Sequence, residues 1–244
     1  MTGQLSDRVV ALTGAGSGLG LLTTRRLLEQ GACVIANYRS SADELLALRS
    51  LHPDTLHLVA GDVGEEDTAI AIAAQARALG RLDVLIHNAA VSRDRALISM
   101  SLDEWDDVMR VNLRGAFLAT KHSLPVMLRA RYGRVIYVSS VVAVIGSAGQ
   151  ANYAASKAGL HGLSHAVAQE YSSRGIRSVV LAPGLLDTGI GARLTPKVQA
   201  RKVARTLHGV GDARSIASTI AFLSSADADF INGAVVRSDG GILF

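Results

Sequence analysis

The sequence predicts one α/β domain over residues 1–244, built as a doubly wound parallel sheet of about seven strands with helices on both faces. Three observations predict it. Short apolar, β-rich runs recur along the chain, and segments of helical spacing separate them. Glycine-rich or polar motifs stand directly after several of the runs, where an open parallel sheet places its ligand site.

The strand runs fall at Arg8–Thr13, Cys33–Tyr38, Thr55–Ala60, Asp83–His87, Arg134–Ser139, Arg177–Ala182 and Ala234–Arg237. Their almost unbroken apolar character means burial on both sheet faces rather than one. Helical spacing covers Leu19–Gln30, Glu66–Leu79, Ser101–Arg129 and Asn152–Arg174. No repeat, low-complexity stretch or linker divides the chain, and 49% hydrophobic against 19% charged residues supplies a large core.

After the first strand comes Thr13-Gly14-Ala15-Gly16-Ser17-Gly18-Leu19-Gly20, followed by an apolar helix. Glycines let the backbone turn tightly and approach a pyrophosphate, and the helix start offers free N–H groups. Strand, glycine loop and helix together predict dinucleotide binding. The second strand ends in Asn37-Tyr38-Arg39-Ser40, with no carboxylate to hold a ribose 2′-hydroxyl. Arg39 offers a forked, charged contact to a 2′-phosphate instead, which favours NADPH and leaves NADH open. After the third strand, Asp62 in Gly61-Asp62-Val63 is placed to accept from the adenine amino group. After the fourth, Asn88 in His87-Asn88-Ala89-Ala90 is placed to pin neighbouring strands, and the small residues leave the cofactor room.

The sharpest local signal is Tyr153-Ala154-Ala155-Ser156-Lys157 near the start of a long helix. A spacing of four stacks Tyr153 and Lys157 on one face. A phenol titrates near 10, so an adjacent ammonium is expected to bring Tyr153 toward the working range as a proton donor. Ser140, just after the fifth strand, has a hydroxyl suited to a carbonyl oxygen that gains negative charge. Asn112 is polar among apolar neighbours and requires a buried partner; it is a candidate to hold a water between Lys157 and solvent.

These motifs, in this order, resemble the short-chain dehydrogenase/reductase family from about Asp7 to Gly241, a family of single-domain Rossmann folds. The likeness rests on Thr13–Gly20, Asp62, Asn88-Ala89, Asn112, Ser140, Tyr153, Lys157 and Pro183-Gly184. It implies a catalytic tetrad of Asn112, Ser140, Tyr153 and Lys157. It implies hydride transfer to a carbonyl carbon while Tyr153 protonates the oxygen, with Lys157 also on the nicotinamide ribose and Thr188 on the carboxamide. Gly14, Ser17, Gly18, Leu19, Gly20, Arg39, Asp62, Val63, Asn88, Ala89, Pro183 and Gly184 complete the implied cofactor contacts.

Within the family, Ser92-Arg93-Asp94, Gly149–Tyr153 and Ser173–Ile176 are similar to segments of β-ketoacyl-(acyl carrier protein) reductases. That likeness implies a carrier-bound substrate from fatty acid or polyketide synthesis, carrier docking at Arg131 and Arg174, and a homotetramer; the single cysteine, Cys33, fits a reduced, cytoplasmic compartment. The end of the chain, Gly240–Phe244, would then suit burial at an interface. Three features depart from the pattern: Ser17 stands where many relatives place a phosphate-binding arginine, Ala90 replaces a glycine, and Gly189–Val210 differs from the usual lid. The lid is expected around 185–210, and its differences leave a free alcohol or ketone such as a sugar, steroid or quinone as the alternative substrate. A non-catalytic cofactor-binding protein is the remote alternative.

Other classes are disfavoured. Cys33 alone forms no internal disulfide and no cysteine cage. His161 and His165 stand four apart, yet no third ligand or intervening acid accompanies them, so no metal is expected. No Gly-x-Ser-x-Gly turn supports a hydrolase. The start MTGQLSDRVV has no signal-peptide pattern, and the apolar stretch Val135–Ile145 is too short to span a bilayer. Net charge is +4, the basic residues read as scattered, and only 4% of residues are aromatic, which argues against a nucleic-acid surface.

Overall fold

Seven strands and nine α-helices alternate along the described residues, which are 3–40, 43–193 and 195–242 of the computed structural model. The strands are β1 (Val9–Thr13), β2 (Cys33–Tyr38), β3 (Leu56–Ala60), β4 (Val84–His87), β5 (Gly133–Val138), β6 (Ile176–Pro183) and β7 (Ala234–Ser238). The helices are α1 (Gly18–Glu29), α2 (Asp43–Leu51), α3 (Glu66–Ala78), α4 (Leu102–Met109), α5 (Gly115–Ala130), α6 (Val142–Ile145), α7 (Ala151–Tyr171), α8 (Pro196–Val203) and α9 (Ala213–Ser224). The strands form one parallel sheet in the order β3-β2-β1-β4-β5-β6-β7. The chain winds outward one way from β1, then returns to β4 and winds the other way. The crevice between β1 and β4 is therefore the topological switch point.

Alternate residues of each strand feed opposite faces, as the two-residue period of a strand requires. Val10 and Leu12 pack with Leu21, Leu27, Ile216 and Ile220 from α1 and α9 on one face. Val9 and Ala11 join Ile72, Ala116, Met127 and Leu160 from α3, α5 and α7 on the other. Both faces are thus buried, which is why the strands read as continuous apolar runs.

The helical stretch expected over Ser101–Arg129 is interrupted. A capping box between Ser101 and Glu104 starts α4, and residues Arg110–Arg114 form a π turn before α5 continues. A π turn inserts one extra residue per turn and re-aims the side chains it holds. The stretch expected over Asn152–Arg174 ends at Tyr171 and tightens into a 3-10 turn at Ser172–Arg174.

Candidate active site

The carboxyl ends of the strands open into a cavity of about 680 Å³, lined by the glycine loop, the ends of β2 to β6, the start of α7 and the side of α8. Asp62 is the one carboxylate lining it among the described residues, against Arg39, Lys157, Arg201, Lys202 and Arg205. The cavity is therefore electropositive along its length, as an anionic cofactor requires.

The glycine loop is shaped by close approach. Gly14 sits at φ +67°, and a Cβ there would lie 2.7 Å from the Ala89 backbone; a Cβ on Gly20 would lie 2.0 Å from the Gly14 carbonyl. Ser17 caps α1 by backbone alone, with its hydroxyl making no cap bond, and it lines the cavity with Gly18 and Leu19. Asn88 does pin neighbouring strands: its amide donates to the carbonyls of Thr13 at 3.2 Å and Gly14 at 3.0 Å. The donor set and the narrow glycine backbone fit a dinucleotide pyrophosphate.

Arg39 is 57% exposed and its guanidinium lies 3.7 Å from Asp62, a loose contact that leaves it free to turn to a ligand. Asp62 is held more firmly, by Arg110 at 3.1 Å and the Gly64 N–H at 2.8 Å. Burial opposes its charge, but the Arg110 hydrogen bond, the Gly64 N–H and the charges of Arg110 and Arg39 win and hold its carboxyl below the ordinary range. Val63 is buried beside Gly115 and reaches the cavity wall.

Ser140, Tyr153 and Lys157 meet at the far side of the same cavity. Asn152 fixes the start of α7 by donating to the carbonyls of Arg93 and Glu104 at 3.0 and 3.1 Å, while its oxygen accepts from the Tyr153 N–H. Lys157 is fully buried; its ammonium donates to the Val138 carbonyl at 2.7 Å and lies 5.7 Å from the Tyr153 ring centre. Burial with no carboxylate partner lowers Lys157 to about 7. The expectation that Lys157 pulls Tyr153 downward is corrected here. Burial pushes the phenol up to about 12, Asp94 adds to the rise, and only the hydrogen bond with Ser140 opposes it. Desolvation outweighs the one hydrogen bond that opposes it.

Asn112 stands on the π turn with its side chain fully used. It accepts from Val91 N–H at 2.8 Å and donates to the Val91 carbonyl and the Ser156 hydroxyl, each at 3.0 Å. Its main-chain carbonyl meets His87 Nε2 at 3.2 Å. His87 is wholly buried, and its Nδ1 pairs with Thr13 Oγ1, which already accepts from the N–H groups of Asn88 and Ala89. Thr13 therefore donates to Nδ1, and the proton of a neutral His87 sits on Nε2. Burial first, then Lys157, lower His87 to about 3. Local pattern gave no sign of this link, since its members come from β1, β4 and the π turn.

Pro183 ends β6, Gly184 abuts the Asp239 backbone so closely that a Cβ would lie 2.8 Å away, and Thr188 Oγ1 faces Gly18 across the cavity. Arg131 and Arg174 are exposed and adjacent in space, but they precede β5 and β6. The six residues of β5, at about 3.3 Å each, set them roughly 20 Å from the cavity end of the sheet. His161 bonds to Ser139 at 2.9 Å, and no group of three metal-ligating side chains occurs among the described residues. No helix among those residues is long and apolar enough to cross a membrane. Leu194 of the expected lid, and Leu243 and Phe244 of the expected apolar end, lie outside the described residues.

Comparison with known proteins agrees with this geometry. The short chain dehydrogenase family model matches residues 8–199. The chain is 35% identical over 244 residues to 3-oxoacyl-[acyl-carrier-protein] reductase FabG of Thermotoga maritima, covering 98% of this chain and 99% of that protein. It is 36% identical over 252 residues to the reductase of the same name from Salmonella typhimurium, covering 98% of each. The crystal structure of gox2181 superposes with a TM-score of 0.91 at 28% identity, covering 97% of this chain and 95% of that one. The chain belongs to the short-chain dehydrogenase family: it is an oxidoreductase of CH–OH and C=O groups that uses a nicotinamide cofactor and resembles the β-ketoacyl-(acyl carrier protein) reductases.

Proposed function

We propose that this enzyme reduces a β-ketoacyl thioester, carried on an acyl carrier protein, to the β-hydroxyacyl product with NADPH. The observation that carries the reading is the convergence of Ser140, Tyr153 and Lys157 on one wall of a cavity whose other end is the glycine loop and Arg39. A bound nicotinamide supplies the hydride that reaches the carbonyl carbon. Ser140 hydrogen-bonds to the carbonyl oxygen, and Tyr153, held protonated by its raised pKa, donates the proton to that oxygen. The phenolate left behind is held by Ser140 and by a protonated Lys157. Asn112 completes the tetrad by fixing the Val91 backbone and Ser156 rather than by touching the substrate.

NADPH is preferred to NADH because β2 ends without a carboxylate and Arg39 is exposed and only loosely tied, 3.7 Å from Asp62, so it can turn to a 2′-phosphate. Gly14, Gly18, Leu19, Gly20, Asn88, Ala89, Pro183, Gly184 and Thr188 line the remaining cofactor path, and residues 185–193 and 195–210 are the described part of the lid over a single domain. Arg131 and Arg174 are offered as the docking residues for the acidic carrier, at the end of the sheet away from the cavity. A homotetramer belongs to the reading by resemblance, and a reduced, cytoplasmic setting by the single cysteine.

The test is the initial rate of acetoacetyl-thioester reduction with NADPH and NADH in parallel. Tyr153→Phe is expected to lose roughly 10²- to 10⁴-fold in rate while still binding cofactor. No turnover of any thioester by a protein that binds cofactor would turn the reading to a free alcohol or ketone.

A further inference from the structure

The segment between Asp187 and Asp212 holds five Lys or Arg residues and no carboxylate, so the positive excess of the whole chain, +4, resides there. The basic residues as such are spread along the chain, but here they stand without carboxylates among them. Crowded like charges repel, and an anionic ligand relieves that repulsion. Helix α8 gives them direction. Arg201 and Lys202 stand in the last turn of α8 and Arg205 in the turn that follows it, and all three line the main cavity. Neither arginine has a carboxylate partner among the described residues.

A second cleft, about 250 Å³, lies beside the first between α8 and the loops 94–96 and 147–150. Arg201, Lys202 and Gln150 line both spaces. Lys202 makes the bar between them, donating to Gln150 Oε1 at 3.1 Å and Ser147 Oγ at 3.4 Å. The Gln150 amide in turn donates to both oxygens of Asp94, at 3.2 and 3.1 Å. Gln150 precedes Tyr153 by three residues, so this bar stands about one helical turn from the phenol. None of the glycine-loop residues reaches the side cleft, which separates its cations from the cofactor pyrophosphate.

We propose that the side cleft carries the pantetheine arm of the thioester away from Tyr153, and that Arg201 and Lys202 bind the phosphate of that arm. Arg205 adds its charge from the turn that follows α8. The inference rests on the thioester reading above and names the part of the substrate that this chain itself recognises. A guanidinium fork beside an ammonium suits a phosphodiester or phosphomonoester, and the Lys202–Gln150 bar opens or shifts as the arm passes.

The experiment compares acetoacetyl-phosphopantetheine with acetoacetyl-pantetheine, which lacks only the phosphate, in the wild-type enzyme and in the Arg201→Gln/Lys202→Gln variant. The wild type is expected to favour the phosphorylated substrate in kcat/KM by roughly tenfold or more, and the variant to keep less than about a threefold preference. Unacylated phosphopantetheine is expected to inhibit the wild type competitively against the thioester, and pantetheine is not, a readout that needs no variant. Equal use of both thioesters by the wild type overturns the phosphate site and leaves the reductase reading intact. A variant that loses NADPH affinity while keeping the phosphate preference also overturns it, by giving the cations to the cofactor. Failure of both thioesters with cofactor bound removes the reductase reading, and the phosphate site with it.

Discussion

The side-chain amide of Asn112 forms a closed pair with the backbone of Val91, accepting from its N–H at 2.8 Å and donating to its carbonyl at 3.0 Å. The same amide nitrogen reaches Ser156 on α7, so one residue ties the β4 loop, the π turn and the catalytic helix together. Asn112→Ala strands three polar groups and is expected to cost about 2–4 kcal/mol of stability. Asn112→Asp is expected to cost at least as much, since a carboxylate cannot donate to Val91 or Ser156. Urea denaturation measures both, and wild-type stability in either variant would show that this bracket carries no weight.

Ionisation of Lys157 is expected to govern the pH dependence of ketone reduction. Its pKa is lowered to about 7 by burial, and the reaction needs the charged form to hold the Tyr153 phenolate. The kcat/KM for cofactor, which reports the free enzyme, should therefore fall as pH rises through about 7, approaching tenfold per unit above it. A profile that stays flat to pH 9 would sink this assignment.

His87 predicts a loss of stability in acid. Its folded pKa is lowered to about 3 while the unfolded value is near 6.5, so the unfolded chain binds the extra proton between those limits. The contribution is present above pH 6.5 and is lost as pH falls toward 3, at a size on the order of 5 kcal/mol. His87→Asn should flatten the slope of unfolding free energy between pH 6.5 and 4. An unchanged slope would show that other groups dominate acid unfolding.

Cofactor choice is expected to depend on Arg39. Arg39→Ala should raise the KM for NADPH by roughly 10- to 100-fold and change that for NADH little, because only the 2′-phosphate loses its partner. Ser17→Arg, which places a second cation at the start of α1 in the same cavity, should lower the NADPH value. Parallel shifts with both cofactors in Arg39→Ala would show that Arg39 supports the loop rather than the phosphate.

The order of strands, the glycine loop and the Tyr153–Lys157 pair were legible because each is a local pattern. Helix spacing sets a four-residue pair on one face wherever the helix packs, and a glycine string between strand and helix has few other uses. Strand edges moved by a residue at most, as at Gly133 and Ile176, because hydrogen-bond partners decide where a strand ends. Helices α8 and α9 were not assigned from the linear pattern. α9 owes its place to Ile216 and Ile220 packing on α1, whose own residues lie some two hundred positions earlier.

By itself, then, the sequence determined the doubly wound sheet, the cofactor loop and which residues could act as proton donor and cation. Only the tertiary structure decided their ionisation and alliances. Lys157 falls because it is buried and Tyr153 rises because its surroundings desolvate the phenol, and desolvation is a property of everything packed around a side chain. The Thr13–His87–Asn112 link joins residues 74 and 25 positions apart, and the bar between Lys202 and Gln150 spans 52. Such contacts follow from how distant elements meet at the switch point of the sheet, and no periodicity along the chain encodes them.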